Sequence, residues 1–339
     1  LADLREQLGG EAPPPAVLLT GATGFVGRHA ATAFREAGLR VRALVRSPAR
    51  AGHLRAAGFE LVQGSLEDGD VLAAACAGMD VIVHMAALTH ARSAAEYERV
   101  NVAGTARLLH AALEATVRPA RFVFLSSLAA AGPCSDGRGV QAGDPARPLT
   151  AYGRSKLAGE LACLDAADRI RMVILRAPAV YGPWDTDMYH FFRIARFGVV
   201  PVPTGPRRML QLVHAADLAD ALVRAVLAPG AAGVYHVAEP VAYAWEEVGR
   251  KVGVAVGRRV LAVPVPAPLI AALGATSELA AGVMGRSSIF NRDKARELLA
   301  PGWLCETDSA RTDLGFEARI PLDEGLRATA RWYEDNGWL

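Results

Sequence analysis

The 339-residue chain has only four cysteines, scattered at Cys76, Cys134, Cys163 and Cys305. No pair has the spacing of a redox dithiol or a zinc site, so they read as reduced, buried thiols and point to a cytoplasmic location. Charge of one sign is missing too: 37 Lys and Arg stand against 35 Asp and Glu, a net +2. That balance offers no general field for nucleic acid or anionic lipid, and neither nucleic acid nor membrane is an expected partner. No apolar run approaches the roughly 18 residues of a membrane-crossing helix. The eight histidines do not fall at metal-ligand spacing, so no metal is expected. His84 and His214 sit inside apolar strand patterns and read as structural. Residues 1–15, LADLREQLGGEAPPP, lack the apolar stretch of a signal peptide and read as a polar leader ended by prolines.

What is present is apolar and ordered in pattern. Hydrophobic residues make up 52% of the chain, enough for a large core and too many for a disordered chain. Continuously apolar runs at 16–20, 41–45, 59–63, 80–85, 122–126, 172–176 and 234–238 predict buried strands. Amphipathic stretches at 24–37, 68–77, 94–115 and 151–167 alternate with them. The alternation predicts an α/β fold, a doubly wound parallel sheet with helices on both faces. Beyond residue 177 prolines interrupt the chain, and helices are predicted near 188–197, 244–253, 289–300 and 323–336. The expected division is a sheet domain of 16–177 with 208–240, beside a smaller, mostly helical substrate lobe of 178–207 with 241–339. The cleft between them is the natural site.

GATGFVG at 21–27 follows the first strand and opens the first helix. Gly21 permits a tight turn, Gly24 a close approach of backbone to a pyrophosphate, and Gly27 close helix packing, with Thr23, Phe25 and Val26 completing the loop. The spacing is G-x-x-G-x-x-G, an approximate match to the dinucleotide fingerprint. At the end of the second strand Arg46 stands where an NAD-binding fold places an acid for the ribose 2′-hydroxyl. A guanidinium there suits a 2′-phosphate, so NADP(H) is expected over NAD(H), with Arg42 and Arg50 as candidate helpers.

YGRSK at 152–156 puts Tyr152 and Lys156 on one helix face. An ammonium beside a phenol, whose reference pKa is about 10, favours the phenolate and so eases proton exchange. Taken with GATGFVG, the run HMAA at 84–87, NVAGT at 101–105, LSS at 125–127 and LRAPAVYGP at 175–183 follow in order. Together these segments resemble the extended short-chain dehydrogenase/reductase family, which includes sugar-nucleotide epimerases, dehydratases, dihydroflavonol reductases and 3β-hydroxysteroid dehydrogenases. The resemblance is strong over 16–240 and weak beyond.

It implies a Rossmann sheet and a nicotinamide-dependent oxidoreductase, with Tyr152 as general acid/base and Lys156 on the nicotinamide ribose. Ser127, 25 residues before the tyrosine, would bind the substrate oxygen. Asn101 would make a water or backbone contact beside the active-site helix. Ala86 and Ala87 would line the cofactor, Pro178 and Val180 would meet the nicotinamide side, and Ser65 and Leu66 would lie at the adenine. Family members often pair through helices equivalent to 94–115 and 151–167, so a homodimer is an expectation of the same kind.

The substrate is expected to be a small molecule of apolar character. Ala179 replaces the asparagine that sugar-nucleotide members use on phosphate, and Leu210 replaces an arginine that pairs with the diphosphate. The candidate pocket residues Leu88, Met188, Phe192 and Leu210 are apolar, although such residues at helical spacing also make ordinary core. Asp185 and Asp187, in the loop after YGPW, could face substrate, with a solvated loop as the default reading. Two other readings stay open. One is an epimerase or dehydratase with a captive NAD, although Leu128 and Ala129 stand where dehydratases carry an acid. The other is a dinucleotide sensor without catalysis, although such relatives often lose the Tyr/Lys pair kept here.

Overall fold

A computed structural model describes residues 14–134, 137–284, 288 and 290–339; most of the expected polar leader therefore lies outside the described residues. Seven parallel strands form the central sheet: β1 (Ala16–Thr20), β2 (Arg40–Val45), β3 (Glu60–Gln63), β4 (Val81–His84), β5 (Arg121–Ser127), β6 (Arg171–Ala177) and a last strand, Gly233–His236. Their order is Gly233–His236, β6, β5, β4, β1, β2, β3. The direction of winding reverses between β1 and β4, which opens a crevice at the carboxyl ends of those two strands.

Side-chain alternation explains why helices cover both faces. Val17, Leu19, Val83, Val123 and Val173 point to one face and pack on Ala30, Phe34, Leu218 and Leu222 from the helices Phe25–Glu36 and Ala215–Leu227. Leu18, Ile82, Phe122, Phe124 and Ile174 point to the other, against Leu72, Leu108 and Cys163. Those residues come from the helices Gly69–Cys76, Ala103–Leu113 and Ala151–Leu164. With period-two alternation, a strand buried on both faces shows only apolar residues.

A buried ion pair fastens Ala151–Leu164 to the sheet. Glu160 has no solvent exposure and takes a two-pronged contact from Arg176 of β6, with Nη2 at 2.7 Å and Nε at 3.0 Å. The Ser126 hydroxyl donates to the same carboxylate. Gly159 is needed beside it, because a Cβ there would lie 2.8 Å from the Phe124 ring.

The C-terminal region is mostly helical, with helices Asp187–Ala195, Trp245–Ala255, Ala267–Val283, Arg292–Leu299, Asp308–Leu314 and Leu322–Asp335. Ala267–Val283 and Asp308–Leu314 have no counterpart in the periodicity reading. Two parallel strands, Val199–Pro203 and Leu261–Val265, pair in spite of Pro201, Pro203 and Pro264. A two-stranded sheet is all edge, the position where missing N–H donors are tolerated.

Asp185, expected in a solvated loop, is buried instead. Its carboxylate accepts the N–H groups of Asp187 (2.9 Å) and Met188 (3.1 Å) at the start of Asp187–Ala195, and its carbonyl accepts the Tyr333 hydroxyl at 2.7 Å. Burial pushes the carboxyl up to about 7, against the pull of those two N–H groups.

Removing the Glu160 charge as Glu160→Gln leaves Arg176 buried with weakened compensation, and should cost about 3–5 kcal/mol in urea unfolding. A change under 1 kcal/mol would mean that the pair contributes little. Asp185 gives a prediction with a sign. Its folded pKa is raised, so its stabilising contribution is full below the unfolded value near 4 and is lost as pH rises through about 7. Measured from pH 4 to 8, wild type should lose up to roughly 4 kcal/mol relative to Asp185→Asn. Parallel curves for the two proteins would contradict this.

Candidate active site

The glycine loop joins the end of β1 to the helix Phe25–Glu36. Gly21 has φ +80°, and a Cβ on it would lie 2.7 Å from the backbone nitrogen of Ala86, so the loop touches the segment leaving β4. A Cβ on Gly27 would lie 2.2 Å from the Gly21 carbonyl oxygen, so this glycine is required by packing. Gly24 is exposed, and a Cβ on it would stand 3.3 Å from the same oxygen. It is the N-cap residue, provides no side chain to the free helix amides, and no acid occupies the first turn. A loop of this shape fits an anionic diphosphate at a helix N-terminus.

The neighbours expected at the adenosine are arranged unevenly. Arg46 is exposed at the end of β2. Arg42 is already committed: it pairs with Glu60 at 2.8 Å and donates to the carbonyls of Ala75 and Ala77 at the end of the helix Gly69–Cys76. It is therefore unavailable as a helper. Arg50 is exposed at the end of a short 3-10 turn. The Ser65 hydroxyl accepts the N–H of Glu67, and Leu66 packs toward Gly104.

Tyr152 and Lys156 lie on the helix Ala151–Leu164, whose first turn is held from three directions. Thr150 caps it by accepting the Gly153 N–H at 3.0 Å, Asp293 accepts the Ala151 N–H at 2.7 Å, and Glu297 accepts from the Thr150 hydroxyl at 3.3 Å. Gly153 lets the helix meet the end of β5, since a Cβ there would be 2.3 Å from the Ala129 carbonyl oxygen. Ser127 ends β5, and its hydroxyl, close to the Tyr152 phenol, favours the phenolate. Burial pushes the pKa of that phenol up, and Ser127 only partly offsets the rise. Lys156 does not act on the phenol in this arrangement. Its ammonium donates to the Leu125 carbonyl at 2.6 Å and stands 4.0 Å over the Phe124 ring. Burial brings it down to about 8, with Glu160 opposing the fall.

Asn101 lies in a π-helical turn, Glu98–Val102, of the sort that marks functional positions in helices. Its side chain grips Leu88 from both sides, accepting the backbone N–H at 2.8 Å and donating to the carbonyl at 3.0 Å. It also donates to the Ser155 hydroxyl at 2.9 Å, which donates to the Tyr152 carbonyl. The expected backbone contact is thus to Leu88. Ala86 and Ala87 are half-buried beside the glycine loop; Pro178 is buried, and Val180 is half-buried against the sheet's core.

Two expected pocket residues are core. Phe192 is wholly buried against Tyr333, with ring centroids 5.2 Å apart, and Leu210 is buried in the same cluster. Both face inward because the apolar stripe of Asp187–Ala195 and the short strand Met209–Leu210 close the core of the C-terminal region. Met188 and Leu88 remain half-buried. Ala179 is exposed.

Several residues at the cleft carried no signal in spacing. Tyr97 packs its ring 6.0 Å from that of Tyr152 and donates to the Thr89 carbonyl. His90 meets Asp187 at 2.9 Å. Burial works against the Asp187 carboxylate, yet His90 and Lys294 hold it below its usual range. A cavity of about 820 Å³ opens at the opposite edge of the sheet, beside Asp80, Arg121 and Arg171. Of its arginines, Arg121 is bonded to the backbone carbonyls of Ala225, Val226 and Ala228, and Arg171 to that of Pro229.

Comparison with known proteins agrees with this geometry. The chain is 34% identical over 326 residues to a ceramide reductase of Caulobacter vibrioides (strain NA1000 / CB15N), covering 95% of this chain and 96% of that protein. It is 34% identical over 218 residues to a farnesyl-dihydroquinoline-oxide ketoreductase of Stigmatella aurantiaca, covering 61% of this chain and 63% of that one. Among solved structures, MoeE5 in complex with UDP-glucuronic acid and NAD superposes with a TM-score of 0.75 at 25% identity, covering 95% of this chain and 99% of that one. Residues 17–238 match the NAD dependent epimerase/dehydratase family. The sheet, glycine loop and Tyr-Lys helix are therefore those of a nicotinamide-dependent oxidoreductase, and the chain belongs to the NAD dependent epimerase/dehydratase family.

Proposed function

We propose that the protein is an NADP(H)-dependent reductase of a ketone on a long-chain, ceramide-like lipid. The observation that carries the chemistry is the pairing of the Ser127 and Tyr152 hydroxyls at the end of β5, with Lys156 one turn along the helix. The substrate class is supported by the 34% identity to a ceramide reductase along almost the full length of both chains. It is supported also by the apolar Leu88 and Met188 at the cleft and by the lack of a phosphate-binding side chain, amide or guanidinium, at Ala179 and Leu210. A sugar diphosphate needs charge-assisted contacts worth about 1.5–3 kcal/mol each.

In this reading Gly21, Thr23, Gly24, Phe25, Val26 and Gly27 hold the diphosphate, and Arg46 holds a 2′-phosphate. Ser65 and Leu66 border the adenine, while Ala86, Ala87, Pro178 and Val180 border the nicotinamide half. The bound nicotinamide supplies a hydride to the carbonyl carbon. Ser127 hydrogen-bonds the carbonyl oxygen, and Tyr152 gives that oxygen its proton as the C=O double bond becomes a C–OH single bond. Lys156 would hold the nicotinamide ribose, and its charge there would favour the phenolate left on Tyr152. Asn101 positions this centre through Leu88 and Ser155.

Tyr152→Phe should lower kcat by about 10²-fold or more while leaving dinucleotide affinity unchanged. Undiminished turnover would remove Tyr152 from the proton step. Arg46→Asp should reverse a preference for NADPH over NADH in binding titrations. A wild-type protein purified with stoichiometric NAD⁺ and active on UDP-glucose, but inert toward long-chain ketones, would instead establish epimerase chemistry.

A further inference from the structure

The helix Ala267–Val283 carries a single charged residue in 17, Glu278, and buries only Ile270, Gly274 and Ala281. The buried side lies on Arg292–Leu299 and the turn before it, close enough that a Cβ on Gly274 would come 2.8 Å from the Asn291 carbonyl oxygen. The remaining sides present Leu273, Leu279 and Val283 to solvent, the last two 70% and 83% exposed. The strand Leu261–Val265 leads into this helix with Leu261 exposed, opposite the exposed Val199 of its partner strand. Phe197, just before that partner strand, is 82% exposed. A helix apolar on nearly every side is ordinarily enclosed by protein or by lipid, and contiguous exposed apolar surface marks an interaction site. No described helix is long and apolar enough to cross a membrane, so this one can lie on a bilayer but not span it.

Charge indicates what covers the face. Arg196 adjoins Phe197, and Arg258 and Arg259 come just before Leu261, with Gly198 lying against the Arg259 carbonyl. All three arginines are exposed, and among the described residues none is in an ion pair. The helix's one acid is already occupied, accepting the Arg292 N–H at 3.0 Å. The arginines thus flank the exposed Phe197, Val199 and Leu261 at the start of the strand pair, and the exposed strand runs from them into the apolar helix. Guanidinium groups beside exposed apolar side chains complement anionic headgroups over acyl chains.

We propose that this face docks on an anionic lipid surface, with Phe197, Leu273, Leu279 and Val283 entering the headgroup–acyl boundary. It is one helix away from the catalytic centre, because Arg292–Leu299 provides Asp293 and Glu297 to the start of the Tyr152 helix. The docking is argued from exposure and charge alone; only its use in delivering substrate rests on the lipid-ketone reading. The neutral charge balance of the chain argues against a membrane partner only as an average, and these arginines are what the average conceals.

The test is sedimentation of the full chain, without cofactor or substrate, with two kinds of vesicle. One is phosphatidylcholine alone; the other is equal parts phosphatidylcholine and phosphatidylglycerol. Binding should favour the anionic vesicles, and should fall by about tenfold or more in Arg258→Glu/Arg259→Glu and in Leu273→Glu/Leu279→Glu. Unchanged melting temperatures would show that both variants fold. No binding, or equal binding to the two vesicles, overturns the proposal. So does a dimer that Leu279→Glu dissociates in sedimentation equilibrium while vesicles fail to bind. If the protein binds anionic vesicles yet reduces no long-chain ketone, the substrate reading fails and the docking surface stands. If a detergent-dispersed ketone is reduced without any vesicle binding, the reverse holds.

Discussion

The side chain of His84 has no exposure to solvent, and both of its ring nitrogens are bonded: Nδ1 to the Thr20 hydroxyl at 2.7 Å, Nε2 to that of Thr105 at 2.9 Å. The directions follow from the neighbours. The Thr105 hydroxyl donates to the Asn101 carbonyl at 2.6 Å, so it accepts from Nε2, and Nδ1 is then left to accept from Thr20. The Thr20 oxygen in turn accepts the Ala86 N–H. This assignment requires a neutral ring. Burial, with the Lys156 charge nearby, brings the imidazole down to about 3 and keeps it neutral. From Asn101 the chain continues through its side chain to Ser155 and the Tyr152 backbone. One continuous set of hydrogen bonds thus links the strand before the glycine loop to the helix of the candidate acid/base. A single unmatched donor or acceptor in it would carry a desolvation cost of about 1–3 kcal/mol, so the register of three elements is set together.

Lys156 is fixed by a different balance. Its ammonium is out of water, bonded to one carbonyl and resting on an aromatic face, and Glu160 is a full turn further along the helix. Glu160 is itself bound by Arg176 and Ser126, so its charge reaches Lys156 as a field and not as a contact. A direct Lys156–Glu160 pair would hold the ammonium inside the sheet. Arg176 prevents that by occupying both carboxylate oxygens. Burial then leaves Lys156 near 8, close to the range in which a lysine can change both its partner and its charge.

The sheet was legible in the sequence because its strands are buried on both faces, where residue type and burial agree. All seven strands appear within two residues of the predicted limits, and the return of 234–238 to the sheet is seen as its pairing with β6. The site was legible to the extent that backbone dictates residue: Gly21 and Gly27 cannot carry a Cβ. Legibility failed where the reading needed contrast along a helix. Phe192 and Leu210 were expected in a pocket and form core, since an apolar stripe does not say which surface it meets. Asp185 was expected in solvent and caps a helix from inside. Ala267–Val283 passed unseen because a stretch apolar on all sides has no period. Tyr97 and His90 reach the cleft through contacts distant in sequence, which spacing cannot register.

The two halves of the molecule answer to different constraints. In the sheet, Gly21 against Ala86 and Gly27 against Gly21 fix backbone to backbone, so substitutions there alter the dinucleotide loop itself. Among the described residues the C-terminal region meets the start of the Tyr152 helix through the side chains of Asp293 and Glu297, and His90 through that of Asp187. Side-chain contacts of this kind can be exchanged one at a time without disturbing the sheet. A family that includes both a UDP-sugar-bound protein and a ceramide reductase at similar coverage of this chain is compatible with that difference. The chemistry is held by backbone approach and buried hydrogen bonds. The apolar surface of the C-terminal region, here Phe197 and the leucines of Ala267–Val283, lies outside the core of the sheet, which does not depend on it.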